Sequence, residues 1–137
     1  MTSSADALLP DSARAHAHDR PFAPAVVDGN ETWTWADLHR RAGSIQAALA
    51  ARGFGPGDRL GLVAGPTALA VAALHGLPRA GVDVVLVHPR LTAGEVATLL
   101  GDAGCRACIV DPAVAVALPP GVERLDLGDL ASQMPAE

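Results

Sequence analysis

His88 and Arg90 are the side chains of this sequence best placed to do chemistry. They directly follow an apolar run, residues 82–87, that is typical of a central, buried parallel strand, and parallel sheets bind ligands at the carboxyl ends of their strands. An imidazole at that edge can exchange a proton near neutral pH, and a guanidinium can hold a phosphate or a carboxylate. His88 has no adjacent carboxylate partner, so we favour a corner residue that hydrogen-bonds the loop at Pro89. For Arg90, an ion pair with Glu95 is an equal alternative.

The cysteines form a C-x-x-C motif at Cys105 and Cys108. In redox proteins this motif lies at a helix N-terminus, where the helix dipole lowers the thiol pKa. Here it straddles the entry to a predicted strand, 106–110, in which positions i and i+3 point to opposite faces. We therefore expect two inert, mostly buried thiols rather than a zinc or redox site.

The segment His-Ala-His-Asp at 16–19 has metal-ligating side chains at close spacing. It belongs to a stretch without a second cluster of such residues, and a protein zinc site needs three or four ligands. We interpret it as a solvated polar segment.

Motifs of nucleotide binding and nucleophilic catalysis are missing from the sequence. The nearest match to a dinucleotide-binding glycine loop, residues 61–65, runs through a predicted strand, and Ser44 is interior to an amphipathic helix. All ten basic residues are arginines, so the chain cannot supply a phosphate-binding, Schiff-base or general-base lysine. The net charge of -5 argues against nucleic acid as a partner.

The composition is that of one domain with an aliphatic core. The chain has 137 residues, of which 50% are apolar and only 3% aromatic, so Ala, Val and Leu must build the core. Trp33 and Trp35 alternate at a strand end, and we expect one of them to cover the core. The first twenty residues lack the features of a signal peptide, and no apolar run is long enough to span a bilayer, which predicts a soluble, cytoplasmic protein.

Helix and strand patterns alternate along the chain. Thr34 with Asp37, and Thr92 with Glu95, predict two capped helices, and Pro78 predicts that the helix between them stops near residue 77. The predicted strands are 25–27, 32–34, 60–64, 82–87, 106–110 and 122–127. The fold class is therefore α/β, a doubly wound, mainly parallel sheet with helices on both faces, preceded by a short β-hairpin.

The same patterns give the domain organisation. We expect a flexible leader over residues 1–20 with a short helix near 12–18, an α/β subdomain over 21–127, and a frayed tail over 128–137.

Four segments, in this order, resemble the beginning of the adenylate-forming enzymes, the superfamily of acyl-CoA synthetases and AMP-binding ligases. Residues 33–38, Trp-Thr-Trp-Ala-Asp-Leu, are similar to its early aromatic-Thr-aromatic-x-acid-Leu motif. Residues 55–60 resemble its G-x-G-D-R-V turn, residues 79–92 its A-G-x-x-x-V-P-L-N-P-R-L-T segment, and residues 102–107 its D-S-G-A-R-A. The resemblance covers roughly residues 12–111.

The chain departs from the family pattern at three positions. Leu86 replaces the usual proline, His88 the usual Asn or Asp, and Gly65 a common Asn. The Leu86 departure resembles the 2-succinylbenzoate–CoA ligase branch, which serves menaquinone synthesis.

The resemblance implies an enzyme that activates a small carboxylic acid with ATP and Mg to an acyl-adenylate and transfers the acyl group to coenzyme A. The family's phosphate loop and catalytic lysine lie downstream of the matching segments and do not occur here. The prediction is therefore no catalytic, cofactor-binding or metal-binding residue and no cofactor in this chain, which would be inactive alone. Its partner would be the missing remainder of the ligase or a second copy.

Two alternatives stay open. The chain could be a stand-alone, non-catalytic α/β binding or scaffold module. It could also be an unrelated, small Rossmann-like ligand binder with a pocket around His88 and Arg90.

Overall fold

The computed structural model describes residues 11–132, and the expectations for residues 1–10 and 133–137 lie outside them. In chain order the helices are α1 (Ser12–Asp19), α2 (Trp35–Ala51), α3 (Ala68–Ala80), α4 (Ala93–Ala103) and α5 (Leu127–Ser132). The strands are β1 (Pro24–Asp28), β2 (Glu31–Thr34), β3 (Arg59–Val63), β4 (Asp83–Leu86), β5 (Ala107–Val110) and β6 (Glu123–Asp126).

The four later strands form one parallel sheet in the order β4-β3-β5-β6, and β1 and β2 form a separate antiparallel hairpin. The chain first winds from β3 to β4, then returns across β3 to reach β5. This reversal confirms the predicted doubly wound α/β class. Within residues 11–132, β4 lies at the edge of the sheet. The prediction that residues 82–87 form a central strand is therefore wrong.

Alternation along the strands sends side chains to two separate cores. Leu60 and Leu62 face the larger core, together with side chains from α2, α3 and α5. Val63 and Cys108 face the smaller core, which α4 covers with Val96. Helices therefore lie on both faces of the sheet, as predicted.

The hairpin and α2 form as the sequence predicted. The Thr34 side chain accepts the Asp37 N–H and the Asp37 carboxylate accepts the Thr34 N–H, which is a complete capping box. Trp33 is buried and covers the core, whereas Trp35 is half-buried. The second capping box, Thr92 with Glu95, opens α4.

Helix α3 runs three residues further than predicted. Pro78 lies inside its last turn, and the helix ends only at Gly81, whose φ of +76° is left-handed. Proline removes one helical N–H, and only two residues of the helix follow it. Glycine at position 81 is also required for a steric reason, because a Cβ on this residue would lie only 2.9 Å from Pro56 Cγ.

Both ends of the described chain pack on the domain, which corrects the predicted leader and tail. Residues 127–132 are not frayed: α5 buries Leu127, Leu130 and Ala131. At the other end, the short helix predicted near 12–18 forms as α1, and its Ala13 is fully buried, so this part of the expected leader is docked rather than flexible. Apolar contacts with α2 and α3 order these short helices, which would be marginal alone.

None of the helices within residues 11–132 combines the length and the apolar character that crossing a bilayer requires.

Candidate functional site

His88 and Arg90 lie at an exposed corner that follows the edge strand β4. The His88 Nδ1 accepts a hydrogen bond from the Arg90 N–H at 3.1 Å, and the His88 carbonyl accepts one from Leu91. This is the corner role favoured from the sequence. Glu95 uses its carboxylate to cap α4 by accepting the Thr92 N–H, and within residues 11–132 it forms no ion pair with Arg90.

A crevice of about 320 Å³ lies elsewhere along the carboxyl ends of the parallel strands, where β3 and β5 end. After β3 the chain turns into α3 on the face of the larger core, and after β5 the segment 111–122 packs on the smaller core. The two chain paths diverge to opposite faces, which opens the space between them. This is the topological switch point, where open α/β sheets bind their ligands. The lining residues are Asp28, Glu31, Trp33, Arg41, Thr67, Ala68, Leu69, Asp111, Pro112 and Ala113.

Asp111 lines this crevice and is only 1% exposed. One carboxylate oxygen accepts the Thr67 hydroxyl at 2.6 Å, and the other accepts the Ala113 N–H at 2.9 Å. The Asp111 N–H donates to the Val63 carbonyl at 2.8 Å and extends the pairing of β3 with β5. The buried carboxylate thereby joins the start of α3 to the end of β5, and its hydrogen bonds offset the cost of burying it.

The hairpin contributes three of the residues that line the crevice, Asp28, Glu31 and Trp33. Asp28 accepts the Ala68 N–H at 2.9 Å and so caps the first turn of α3 from outside the helix. Glu31 accepts the indole N–H of Trp33 at 2.8 Å. The Arg41 guanidinium lies over the Trp33 ring, 5.4 Å from its centroid.

The crevice therefore combines three carboxylates with one guanidinium, and each of these side chains is bonded or stacked within the fold. Arg41 also donates to the Ala131 carbonyl at 3.3 Å. Within residues 11–132, every buried side-chain nitrogen or oxygen has a hydrogen-bond partner. This arrangement can position the hairpin, α3 and the end of β5 relative to each other, and its open mouth can accept a small polar group.

The other candidate residues lie away from the crevice. Cys105 and Cys108 are both buried, as predicted, and burial raises the pKa of Cys108 to about 11. They pack in the same core rather than on opposite faces, because Cys105 precedes β5 and does not belong to the strand. His16 stacks against Trp35 with ring centroids 4.5 Å apart, and no group of three metal-ligating side chains occurs in the described part of the chain.

Sequence reasoning missed the residues that line the crevice. Asp111 follows a fully buried strand directly, and Thr67 follows the neighbouring strand within four residues. A polar residue in that position is a usable signal, but only once the strand order is known. The order β4-β3-β5 makes the ends of β3 and β5 neighbours, and no pattern in the sequence specifies it.

Comparison with known proteins identifies the family. The model of the AMP-binding enzyme family matches residues 13–134. A fatty acid–[acyl-carrier-protein] ligase, ScoC of Streptomyces coeruleorubidus, is 38% identical over 66% of this chain and 18% of its own length. The 2-succinylbenzoate–CoA ligase of Geobacillus kaustophilus is 31% identical over 90% of this chain and 25% of its own length.

A solved structure agrees with these matches. The AMPPNP-bound form of the nonribosomal peptide synthetase FmoA3 superposes with a TM-score of 0.82 and 29% identity, over 90% of this chain and 14% of that one. The chain thus spans a quarter or less of the length of each of these relatives. On the match over residues 13–134, this chain belongs to the AMP-binding enzyme family.

Proposed function

We propose that this chain forms the N-terminal part of an ATP-dependent, adenylate-forming ligase and has no ligase activity alone. The observation that carries the proposal is the family match over residues 13–134, combined with coverage of only 14–25% of FmoA3, ScoC and the Geobacillus ligase. The absence of lysine supports it, because a catalytic lysine would have to come from another part of the protein.

In this proposal the chain supplies scaffold, and the remaining polypeptide supplies the groups that act on the nucleotide. Adenylyl transfer depends on positioning and on stabilising charge that develops in the transition state. The bonds of Asp111 join the start of α3 to the end of β5, and the bond from Ala68 to Asp28 joins the hairpin to α3. Together they would give the rest of the ligase a rigid surface on which to be positioned. ATP and Mg would bind to the complete protein.

An ATP–pyrophosphate exchange assay tests whether this chain needs the rest of the ligase for activity. The chain alone should catalyse no ATP–pyrophosphate exchange with acyl or aryl acids. A chimera in which residues 13–134 replace the matching segment of the Geobacillus 2-succinylbenzoate–CoA ligase should catalyse exchange, whereas that ligase without the segment should not. Exchange by the isolated chain, or a folded but inactive chimera, would contradict the proposal.

A narrower proposal is that the complete enzyme is an acid–CoA ligase acting on 2-succinylbenzoate in menaquinone synthesis. Leu86 at the position of the family's usual proline and the 31% identity to the Geobacillus ligase support it. Deleting the gene from its source organism should abolish menaquinone and accumulate 2-succinylbenzoate, both measured by mass spectrometry. Unchanged menaquinone would contradict this substrate and leave the ligase proposal standing.

A stand-alone scaffold module is the second candidate. It is favoured by the coverage of both sheet faces and by the hydrogen-bond partners of all buried side-chain polar atoms within residues 11–132. A monodisperse protein that unfolds cooperatively and binds no hydrophobic dye would support it. Aggregation and dye binding would favour the partial ligase. The third alternative, an unrelated ligand binder, is wrong because the chain belongs to the AMP-binding enzyme family.

A further inference from the structure

Strand β4 leaves one edge of the parallel sheet open. It is the last strand in the order β4-β3-β5-β6, so β3 pairs with one side of it, and no strand within residues 11–132 pairs with the other. The N–H groups of Asp83 and Val87 donate to main-chain carbonyls of β3 and of the residue before it. Main-chain groups alternate in direction along a strand, so those of Val84 and Leu86 point away from the sheet. The open edge therefore presents a row of hydrogen-bond donors and acceptors.

The same edge carries an exposed apolar side chain. Val84 packs on the larger core and Val85 on the smaller one, so Leu86 lies on the larger-core face by alternation. Leu86 is 68% exposed. The centre of β4 contains neither a proline nor a charged residue, which are features that keep sheet edges from pairing with other chains.

A second exposed apolar residue, Leu74, lies on the flank of α3 above this edge. On the larger-core face α2 contacts both α3 and α5, whereas α3 contacts β4 and α5 contacts β6. Helix α2 is therefore the middle helix, and α3 is the outer one at the open edge. Gly76 of α3 packs against α2, since a Cβ there would lie 2.9 Å from Ile45 Cβ. Leu74 comes two residues earlier, which is about 200° around the helix axis, so it faces away from α2, and it is 58% exposed.

An antiparallel pair of β4 strands from two copies of this chain fits the edge. With a two-fold axis at Val85, Val84 of one copy lies opposite Leu86 of the other, and the outward main-chain groups of these residues exchange their hydrogen bonds on both sides of the axis. The two sheets then form one continuous sheet with their larger-core faces on the same side. Leu74 and Leu86 of both copies come together between the two α3 helices.

The charges at the two ends of β4 favour this orientation. Asp83 begins the strand, and its side chain is 72% exposed, with Arg59 3.8 Å away. The exposed His88 and Arg90 follow the other end, and no carboxylate within residues 11–132 forms an ion pair with Arg90. Antiparallel pairing brings the Asp83 end of each copy to the Arg90 end of the other, whereas parallel pairing would place like charges next to each other.

The chain enters and leaves the described domain away from the open edge. Asp11 accepts a hydrogen bond from Arg79, which also donates to the His39 carbonyl of α2, so the chain enters on the flank of α3 that faces α2. It leaves at Ser132, at the end of α5, which contacts β6 at the opposite edge of the sheet. A second copy therefore fits this edge better than a neighbouring segment of the same chain.

We propose that two copies of this chain associate through antiparallel pairing of their β4 strands, with Val85 at the two-fold axis and with Leu74 and Leu86 covered in the dimer. Main-chain hydrogen bonds join the strands, and the apolar side chains exclude water beside them. The dimer is independent of the ligase proposal, because it depends only on the open edge of β4.

Sedimentation equilibrium of the 137-residue chain tests the dimer. The wild type should reach the mass of two chains as its concentration rises. Leu86→Pro removes an outward N–H without removing a bond to β3, and proline is the residue of the family motif at this position, so the variant should fold. It should raise the dissociation constant of the dimer by about tenfold to a hundredfold, through the lost hydrogen bonds.

Leu74→Lys tests the side chains of the same interface. It changes an exposed position and should leave the fold intact, but it places a charge from each copy between the α3 helices and should also weaken the dimer. Phe22→Lys is the matched control, because Phe22 is 85% exposed and precedes β1, outside the interface. This control should dimerise as the wild type does. Circular dichroism checks the fold of every variant.

Cross-linking tests the register, in a chain whose Cys105 and Cys108 are replaced by alanine. Val85→Cys places the two new thiols opposite each other in a non-hydrogen-bonded pair, where Cα atoms lie about 4.5 Å apart, within the range of a disulfide. Oxidation with copper phenanthroline should therefore yield a covalent dimer on a non-reducing gel. Val84→Cys, which would face Leu86 of the other copy, is the matched control and should yield much less.

Three results would each overturn the proposal. The first is a wild type that stays monomeric up to the highest soluble concentration. The second is a dimer that neither Leu86→Pro nor Leu74→Lys weakens, and Leu74→Lys decides alone if Leu86→Pro does not fold. The third is cross-linking of Val84→Cys as complete as that of Val85→Cys, because it would exclude the two-fold axis at Val85.

Discussion

Asp111 and His88 make an informative comparison, because each follows a parallel strand of the same sheet. Strand β5 lies between β3 and β6 and is buried along its whole length, and Asp111 at its end is 1% exposed with both carboxylate oxygens bonded. Strand β4 lies at the edge, and His88 after it is exposed and holds only its own corner. The carboxyl ends of two strands in one parallel sheet can therefore differ in burial and in hydrogen bonding. A polar residue there becomes part of a shaped cavity only where neighbouring chain paths diverge.

Asp111→Ala should have the largest effect on stability, and it tests whether the buried carboxylate has a structural role. The substitution leaves the Thr67 hydroxyl and the Ala113 N–H without their acceptor in a buried position, and we expect the free energy of unfolding to fall by about 2–3 kcal/mol. Urea denaturation followed by circular dichroism measures it. Asp102→Ala removes an exposed carboxylate on α4 and should change stability by less than about 0.5 kcal/mol. Equal effects of the two substitutions would contradict a structural role for the crevice.

Thr67→Val removes the hydrogen-bond partner of Asp111 and should lower the free energy of unfolding by less than Asp111→Ala does. Valine keeps the shape but removes the hydroxyl that donates to Asp111 and accepts the Ala70 N–H as the N-cap of α3. We expect a loss of about 1–2 kcal/mol in the same assay, against little change for Thr32→Val on the exposed side of the hairpin.

The double variant of Asp111→Ala and Thr67→Val measures how far the two residues act together. Their side chains are in contact, so the combined loss should be about 1 kcal/mol smaller than the sum of the single losses. Strict additivity would mean that the hydrogen bond between them contributes nothing.

The smallest effect is expected at the end of β4. His88→Ala and Arg90→Ala should each change the free energy of unfolding by less than about 0.5 kcal/mol, because both side chains are exposed. Millimolar ATP should not raise the melting temperature of the wild type or of either variant, since only a ligand bound to the folded state stabilises it. A rise in the wild type that either substitution abolishes would make this corner a binding site and reverse the comparison.

Local sequence signals were sufficient for most individual elements. Both capping boxes form as predicted, and the left-handed glycine at 104 ends α4. These features depend on hydrogen bonds between residues three or four apart, so the spacing of residue types specifies them. The predictions for α3 and α5 failed where a local signal was weaker than tertiary packing. Pro78 fits the last turn of α3, and burial of Leu130 orders a helix in a stretch that looked like a tail.

The sequence by itself determined the α/β class, the corner role of His88 and the family resemblance, because each depends on residue types at short, fixed spacings. Only the tertiary structure decided that β4 is an edge strand and that β3 and β5 are neighbours. That order brings Thr67 and Asp111, 44 residues apart, to a hydrogen bond of 2.6 Å. The same is true of Asp11 and Arg79, which meet across 68 residues. Contacts of this range arise from the packing of whole helices and strands, and local patterns do not encode them.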